Sequence, residues 1–143
     1  MKDLDVARKR LREKELSLCI VKGGEVIFET ASHGISGFLK AVEEFGDKLV
    51  GASVADRVVG KAIALLCVCA RVARVYGSTL SEKAKALFDQ NAIHVEWDEL
   101  VDNVLGANKT ETCPFESLAS EIANPKDAYR KLKALQDSLK ECR

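Results

Sequence analysis

The chain has 143 residues, 47% of them hydrophobic and 31% charged. That is ordinary globular usage, and the length suits one domain that buries roughly 70% of the surface its unfolded chain would expose. Twenty-two basic residues cancel 22 acidic ones, so no net field favours nucleic acid or an anionic membrane as a partner. The longest apolar run, Ala62 to Ala70, is far short of the ~20 residues a membrane span needs.

Five cysteines is an odd number, and Cys67 and Cys69 sit inside an apolar run. Met1 to Arg12 is charged throughout and lacks the apolar stretch of a secretory signal. A reducing, cytoplasmic compartment without a disulfide framework is the expectation.

In chain order, Lys2 to Lys14 is charged but carries Leu4, Ala7 and Leu11 at helical spacing, which predicts a short surface helix. Leu16 to Val21 and Glu25 to Thr30 flank Gly23-Gly24. Two strand-like runs around two glycines predict a β-hairpin, because its tight turn needs positive φ at both central residues. Leu18 to Val21 is apolar on both faces and is expected inside the sheet. Gly34 to Lys48 repeats Ile35, Leu39, Val42 and Phe45 at helical spacing.

The next helix is expected from about Ser53 to Ala70, buried because its second half is apolar all round. Ala73 to Ser78 is read as a strand, Glu82 to Asn91 as a helix, Ile93 to Trp97 as a strand and Glu99 to Leu105 as a short helix. Gly106 to Thr112 is a polar loop. Cys113-Pro114 opens a helix to about Ile122, and Asn124-Pro125 starts the last one, with Asn as cap and Pro in its first turn. Its stripe of Ala128, Leu132, Leu135 and Leu139 is expected in the core, with a homodimer contact as the alternative. The order predicts a single α/β domain over 1–143, with a mixed sheet of about four strands covered on both faces.

Three stretches carry a resemblance. They are Leu18-Cys19-Ile20-Val21-Lys22-Gly23-Gly24-Glu25-Val26-Ile27-Phe28, Gly51-Ala52-Ser53-Val54-Ala55-Asp56-Arg57-Val58-Val59-Gly60-Lys61-Ala62, and Cys113-Pro114-Phe115-Glu116. Together they resemble domain-of-unknown-function family 1893, uncharacterised prokaryotic proteins with a cytidine-deaminase-like fold. The likeness covers roughly residues 16–122 as the deaminase-like core and leaves 123–143 as a C-terminal helix. It implies a three-layer α/β/α sandwich and no particular activity.

The wider deaminase superfamily holds zinc with H-x-E at one helix start and P-C-x-x-C at the next. The chemistry needs three ligands, a metal-bound water and a glutamate that moves protons. With a helix starting near Ser53, the first motif would fall at Val54-Ala55-Asp56 and the second near Ser78-Thr79-Leu80-Ser81. Neither stretch offers a His or Cys ligand, and the first has no Glu. A literal His94-Val95-Glu96 lies in an alternating strand pattern, with His94 and Glu96 on a solvent side and Ile93 and Val95 facing in. Cys113-Pro114 reverses the dipeptide and has no second Cys three residues on. Cys67 and Cys69 would point about 200° apart on a helix, as buried small hydrophobes rather than a metal pair. No zinc-dependent deamination, metal site or cofactor is expected.

Four residues stand out as candidates for chemistry. Asp56, three residues after Ser53, reads either as the acid of a capping-box variant or as a functional carboxyl beside Gly60, whose missing side chain leaves room for a backbone or a ligand. Lys61 borders an apolar helix, where a lysine snorkels to water or meets a partner. Cys113 takes a cap position that a thiol fills poorly, and a helix start lowers a thiol pKa. Glu116 then either closes a capping box on Cys113 or moves a proton. Ser32-His33-Gly34 offers free backbone N–H groups to an anion before a helix.

Two functions follow. One is a protein that binds, or modifies without metal, a small nucleotide-like or anionic ligand, with Asp56, Lys61, Cys113 and Glu116 facing a common cleft. The other is a non-catalytic regulatory or interaction domain in which the same residues only fix helix starts.

Overall fold

A computed structural model describes residues 2–32, 35–102 and 114–141, with side chains through residue 138. The elements are α1 (Asp3–Glu13), β1 (Leu18–Lys22), β2 (Glu25–Thr30), α2 (Ser36–Phe45), a 3-10 turn (Gly46–Leu49), β3 (Ser53–Val59) and α3 (Lys61–Ala70). They continue with β4 (Arg74–Ser81), α4 (Glu82–Gln90), β5 (His94–Val101), α5 (Pro114–Ala119), a 3-10 turn (Pro125–Asp127) and α6 (Ala128–Glu141).

The five strands form one mixed sheet in the order β2-β1-β3-β4-β5. β1 runs antiparallel to both neighbours, and β3, β4 and β5 are parallel. The hairpin turn has φ of +60° at Gly23 and +80° at Gly24, the left-handed pair such a turn demands. Its two N–H groups donate to the Asp3 carboxylate at 2.8 and 2.9 Å, which ties the start of α1 to the hairpin.

The sheet is covered on both sides, giving three layers. On one side Ile20, Val54 and Val75 pack beneath Phe38, Leu66, Phe88 and Leu132 of the α2, α3, α4 and α6 layer. On the other, Leu4, Ala7 and Leu11 of α1 cover Cys19, Val21, Ala55 and Tyr76. α3 is buried along nearly its whole length, as a helix apolar all round requires. Among the described residues no helix is long and apolar enough to cross a membrane.

Two stretches expected as helix are strand, although the second half of the helix expected from Ser53 to Ala70 is α3. The segment from Ser53 to Val59 is β3, a central strand, so the sheet has five strands rather than about four. Its β-branched Val54, Val58 and Val59 suit a pleated, packed surface. Its backbone is paired on both edges, Val54 with Ile20 of β1 and with Val75 of β4. Ser53 therefore caps no helix, and Asp56 is not an acid in a helical first turn. The helix expected from Glu99 is the end of β5, where Glu99, Leu100 and Val101 pair with Thr79, Leu80 and Ser81; residues 103–105 lie outside the described ones.

His94 and Glu96 do lie on β5, with Ile93 buried and Val95 packed on the main core. Their side of the strand is not bare. Arg8 of α1 sits 4.2 Å over the Tyr76 ring and bonds Glu96 at 2.7 Å, and His94 bonds the other Glu96 oxygen at 2.7 Å. Those partners hold the Glu96 carboxyl below its ordinary value, the His94 hydrogen bond most of all.

Candidate functional site

Helix α3 begins at Lys61, with extended Gly60 as its cap residue and no side chain of its own to satisfy the first N–H groups. Those orphan donors need a partner. Glu116 of α5 supplies it: the N–H of Lys61 donates to Oε2 and that of Ala62 to Oε1, both at 2.9 Å. A carboxylate at the positive end of a helix is favoured by the dipole and by charge-assisted bonds. Glu116 is only 9% exposed, so it is a buried carboxylate held by backbone donors of another helix. Gly60 makes the approach possible, because a Cβ there would fall 2.5 Å from Glu116 Cδ. The room at Gly60 is filled by this carboxylate.

Asp56 lies further back on β3, opposite Leu18 of β1 and Gly77 of β4. It is half-buried, and no ion pair among the described residues includes it. Burial pushes its carboxyl up to about 7, against the N–H groups of Val58 and Arg57, which favour the charged form. The Val58 N–H donates to Oδ1 at 3.3 Å. Inward and outward positions cease to alternate just beyond it: Val58 is 45% exposed and Val59 buried. The Asp56 charge is felt by the buried Cys67 of α3, whose thiol is pushed well above its ordinary value by burial first and by Asp56 second.

The Lys61 side chain goes elsewhere. It lines a groove of about 410 Å³ between α3 and α4, with Lys83 on the opposite wall. Leu65, Leu87 and Ile122 form apolar lining, and Asp56 is not part of it.

The structure therefore joins Glu116 to the backbone of Lys61, sends the Lys61 side chain into the groove, and keeps Asp56 under α3. Cys113 lies outside the described residues, as do His33, Gly34 and the loop 106–112. Because α3 starts at Lys61, the first helix start after a parallel strand carries Gly60-Lys61-Ala62. The next, at α4, carries Ser81-Glu82-Lys83, where Ser81 caps by accepting from the Ala84 N–H at 3.1 Å. These replace Val54 to Asp56 and Ser78 to Ser81 as the places a deaminase-type motif would occupy, and neither holds a His or Cys. Among the described residues no three His, Cys, Asp or Glu side chains gather as a metal site.

Sequence reasoning did not anticipate Lys83 or the Glu116 cap of α3. The strand-like Arg57-Val58-Val59 followed by Gly60 was the available signal, since a glycine after a β-branched pair marks a strand end better than a helix interior.

No curated protein matches the chain. Solved structures are similar to the chain, two of them as follows. The crystal structure of a DUF1893 family protein, TM1506 from Thermotoga maritima, aligns with a TM-score of 0.85 and 30% identity over 94% of this chain and 90% of that one. RibD of Acinetobacter baumannii, form 2, aligns with a TM-score of 0.45 and 20% identity over 76% of this chain and 31% of that one. The domain of unknown function DUF1893 matches residues 6–136, and the chain belongs to that family.

Proposed function

We propose that this protein binds a small anionic, nucleotide-like ligand near the carboxyl ends of β3 and β4, with Asp56 as the polar anchor. The observation that carries this reading is the state of Asp56. A carboxyl that served structure alone would have a cationic partner or a full set of donors. Asp56 has no ion pair among the described residues and a pKa near neutrality through burial, the condition in which a carboxyl both accepts and donates hydrogen bonds at pH 7. Asp56 stands mid-strand, the fourth of the seven residues of β3, so a ligand reaching it would enter from the carboxyl ends of β3 and β4, where ligands of open α/β sheets bind.

Glu116 takes a different part. Both its oxygens accept from the α3 backbone, so it organises the helix start and is not free for proton transfer. That favours binding over acid–base catalysis by Glu116. Cys113 remains a candidate for ligand contact, while Lys61 faces the groove between α3 and α4 rather than Asp56.

The test is a thermal-shift screen of nucleosides, nucleotides and sugar phosphates against the wild type and Asp56→Asn. The expected result is a ligand that raises the wild-type melting temperature and loses at least about tenfold in affinity with Asp56→Asn. A ligand whose binding ignores Asp56→Asn would remove Asp56 from the site.

A further inference from the structure

We infer that the groove between α3 and α4 is a second ligand site, for a small amphiphilic anion: a phosphate or carboxylate head on a short apolar body. Its volume of about 410 Å³ falls in the ~300–1,000 Å³ range of small-molecule pockets. The cationic end is built from two helix starts. Lys61 is the first residue of α3 and Lys83 the second of α4, and both side chains line the groove. Neither forms an ion pair among the described residues, and none of the described residues lining the groove is acidic. An anion placed there meets two ammonium groups, and the Glu116 carboxylate at the α3 start is already engaged by backbone N–H groups.

The lining sets the rest of the ligand. Leu65, Leu87 and Ile122 are apolar, and Gln90 and Ser120 are the polar groups besides the lysines. Among the described residues no aromatic ring lines the groove to stack on a base, and few groups are present to read a sugar. A short alkyl or acyl body fits this lining better than a nucleoside does. A larger groove lies beside β2. That cavity of about 540 Å³ sets Glu29, Glu43 and Glu44 against Lys40 and Lys133, so it has no preference for an anion.

The test is isothermal titration of the full chain with hexyl phosphate below its micelle concentration, beside inorganic phosphate and hexyltrimethylammonium. Saturable binding at one site per chain is expected, at least about tenfold tighter than inorganic phosphate, with none for the cation. Lys83→Glu and Lys61→Glu should each weaken it at least about tenfold while circular dichroism shows an unchanged fold. Asp56→Asn should leave it intact, which separates this site from the one anchored by Asp56. Equal binding of the cation, or binding indifferent to both lysine variants, would overturn the proposal. So would a dimer that Lys83→Glu dissociates, because the groove would then be covered by a second copy.

Discussion

The Glu116 carboxylate occupies the space that a Cβ on Gly60 would take, 2.5 Å from its Cδ, and from there it accepts the first two N–H groups of α3. The glycine and the glutamate are one feature: the first makes the approach possible and the second satisfies donors that α3 cannot satisfy itself.

This coupling predicts non-additive mutants. Gly60→Ala should cost about 2–3 kcal/mol by driving a methyl into the carboxylate. Glu116→Ala should cost about 1–3 kcal/mol by orphaning the buried Ala62 N–H and the part-buried Lys61 N–H. Made together they should cost less than their sum, because the clash disappears with the carboxylate. Glu116→Gln, which keeps one acceptor oxygen, should fall between wild type and Glu116→Ala. Urea unfolding of the four variants measures this, and strict additivity would mean that the two residues do not meet.

Much of the architecture was legible because it rests on local patterning. Gly23-Gly24 demanded positive φ, Leu4, Ala7 and Leu11 marked the buried stripe of α1, and the run from Ala62 to Ala70 marked a buried helix. The β3–α3 boundary was not legible. Ser53-Val54-Ala55-Asp56 mimics a capping box, and only pairing with β1 on one edge and β4 on the other makes it a strand. The site was hidden for the same reason. Glu116 and Lys61 are 55 positions apart, and Lys83 joins Lys61 only through the packing of α4 beside α3; no local pattern encodes either pairing.

Asp56 sets a pH dependence with a definite sign. Its folded-state pKa of about 7 lies above the ordinary 3.8, so the folded chain holds a proton that the unfolded chain gives up. This group favours the folded state fully below about pH 4, and its contribution is lost as pH rises through about 7. Asp56→Asn should remove that loss and be more stable than wild type by about 1–3 kcal/mol at pH 8, with a smaller difference at pH 5. Denaturation midpoints at the two pH values check it, and parallel wild-type and variant profiles would contradict it.

The thiols are expected to rank by environment. Burial pushes Cys19 up to about 11 and raises both Cys69 and Cys67, with Asp56 adding to the shift at Cys67. All three should alkylate slowly at neutral pH. Cys113, next to Pro114 at the α5 start, should react first among these four. Peptide mapping after partial alkylation ranks them, and a Cys113 slower than Cys67 would remove it from consideration as a reactive thiol.

Purified chain should carry no stoichiometric zinc, because the α3 and α4 starts present Gly60-Lys61-Ala62 and Ser81-Glu82-Lys83, without the His and Cys ligands zinc takes. Elemental analysis after purification without added metal is the check. One zinc retained per chain would call for a ligand set elsewhere in the sequence and reopen deamination.

Ligand binding through Asp56 is tested by melting of the wild type and Asp56→Asn, side by side, across a panel of nucleotides and sugar phosphates at pH 7. A ligand present at a hundred times its Kd adds about 2.7 kcal/mol of stability, a shift a melting curve resolves. At least one compound should stabilise the wild type by that order and leave Asp56→Asn nearly unmoved. A panel that shifts neither protein, or in which every active compound shifts both equally, would remove Asp56 from any ligand site and leave Asp56 and Glu116 serving the fold alone.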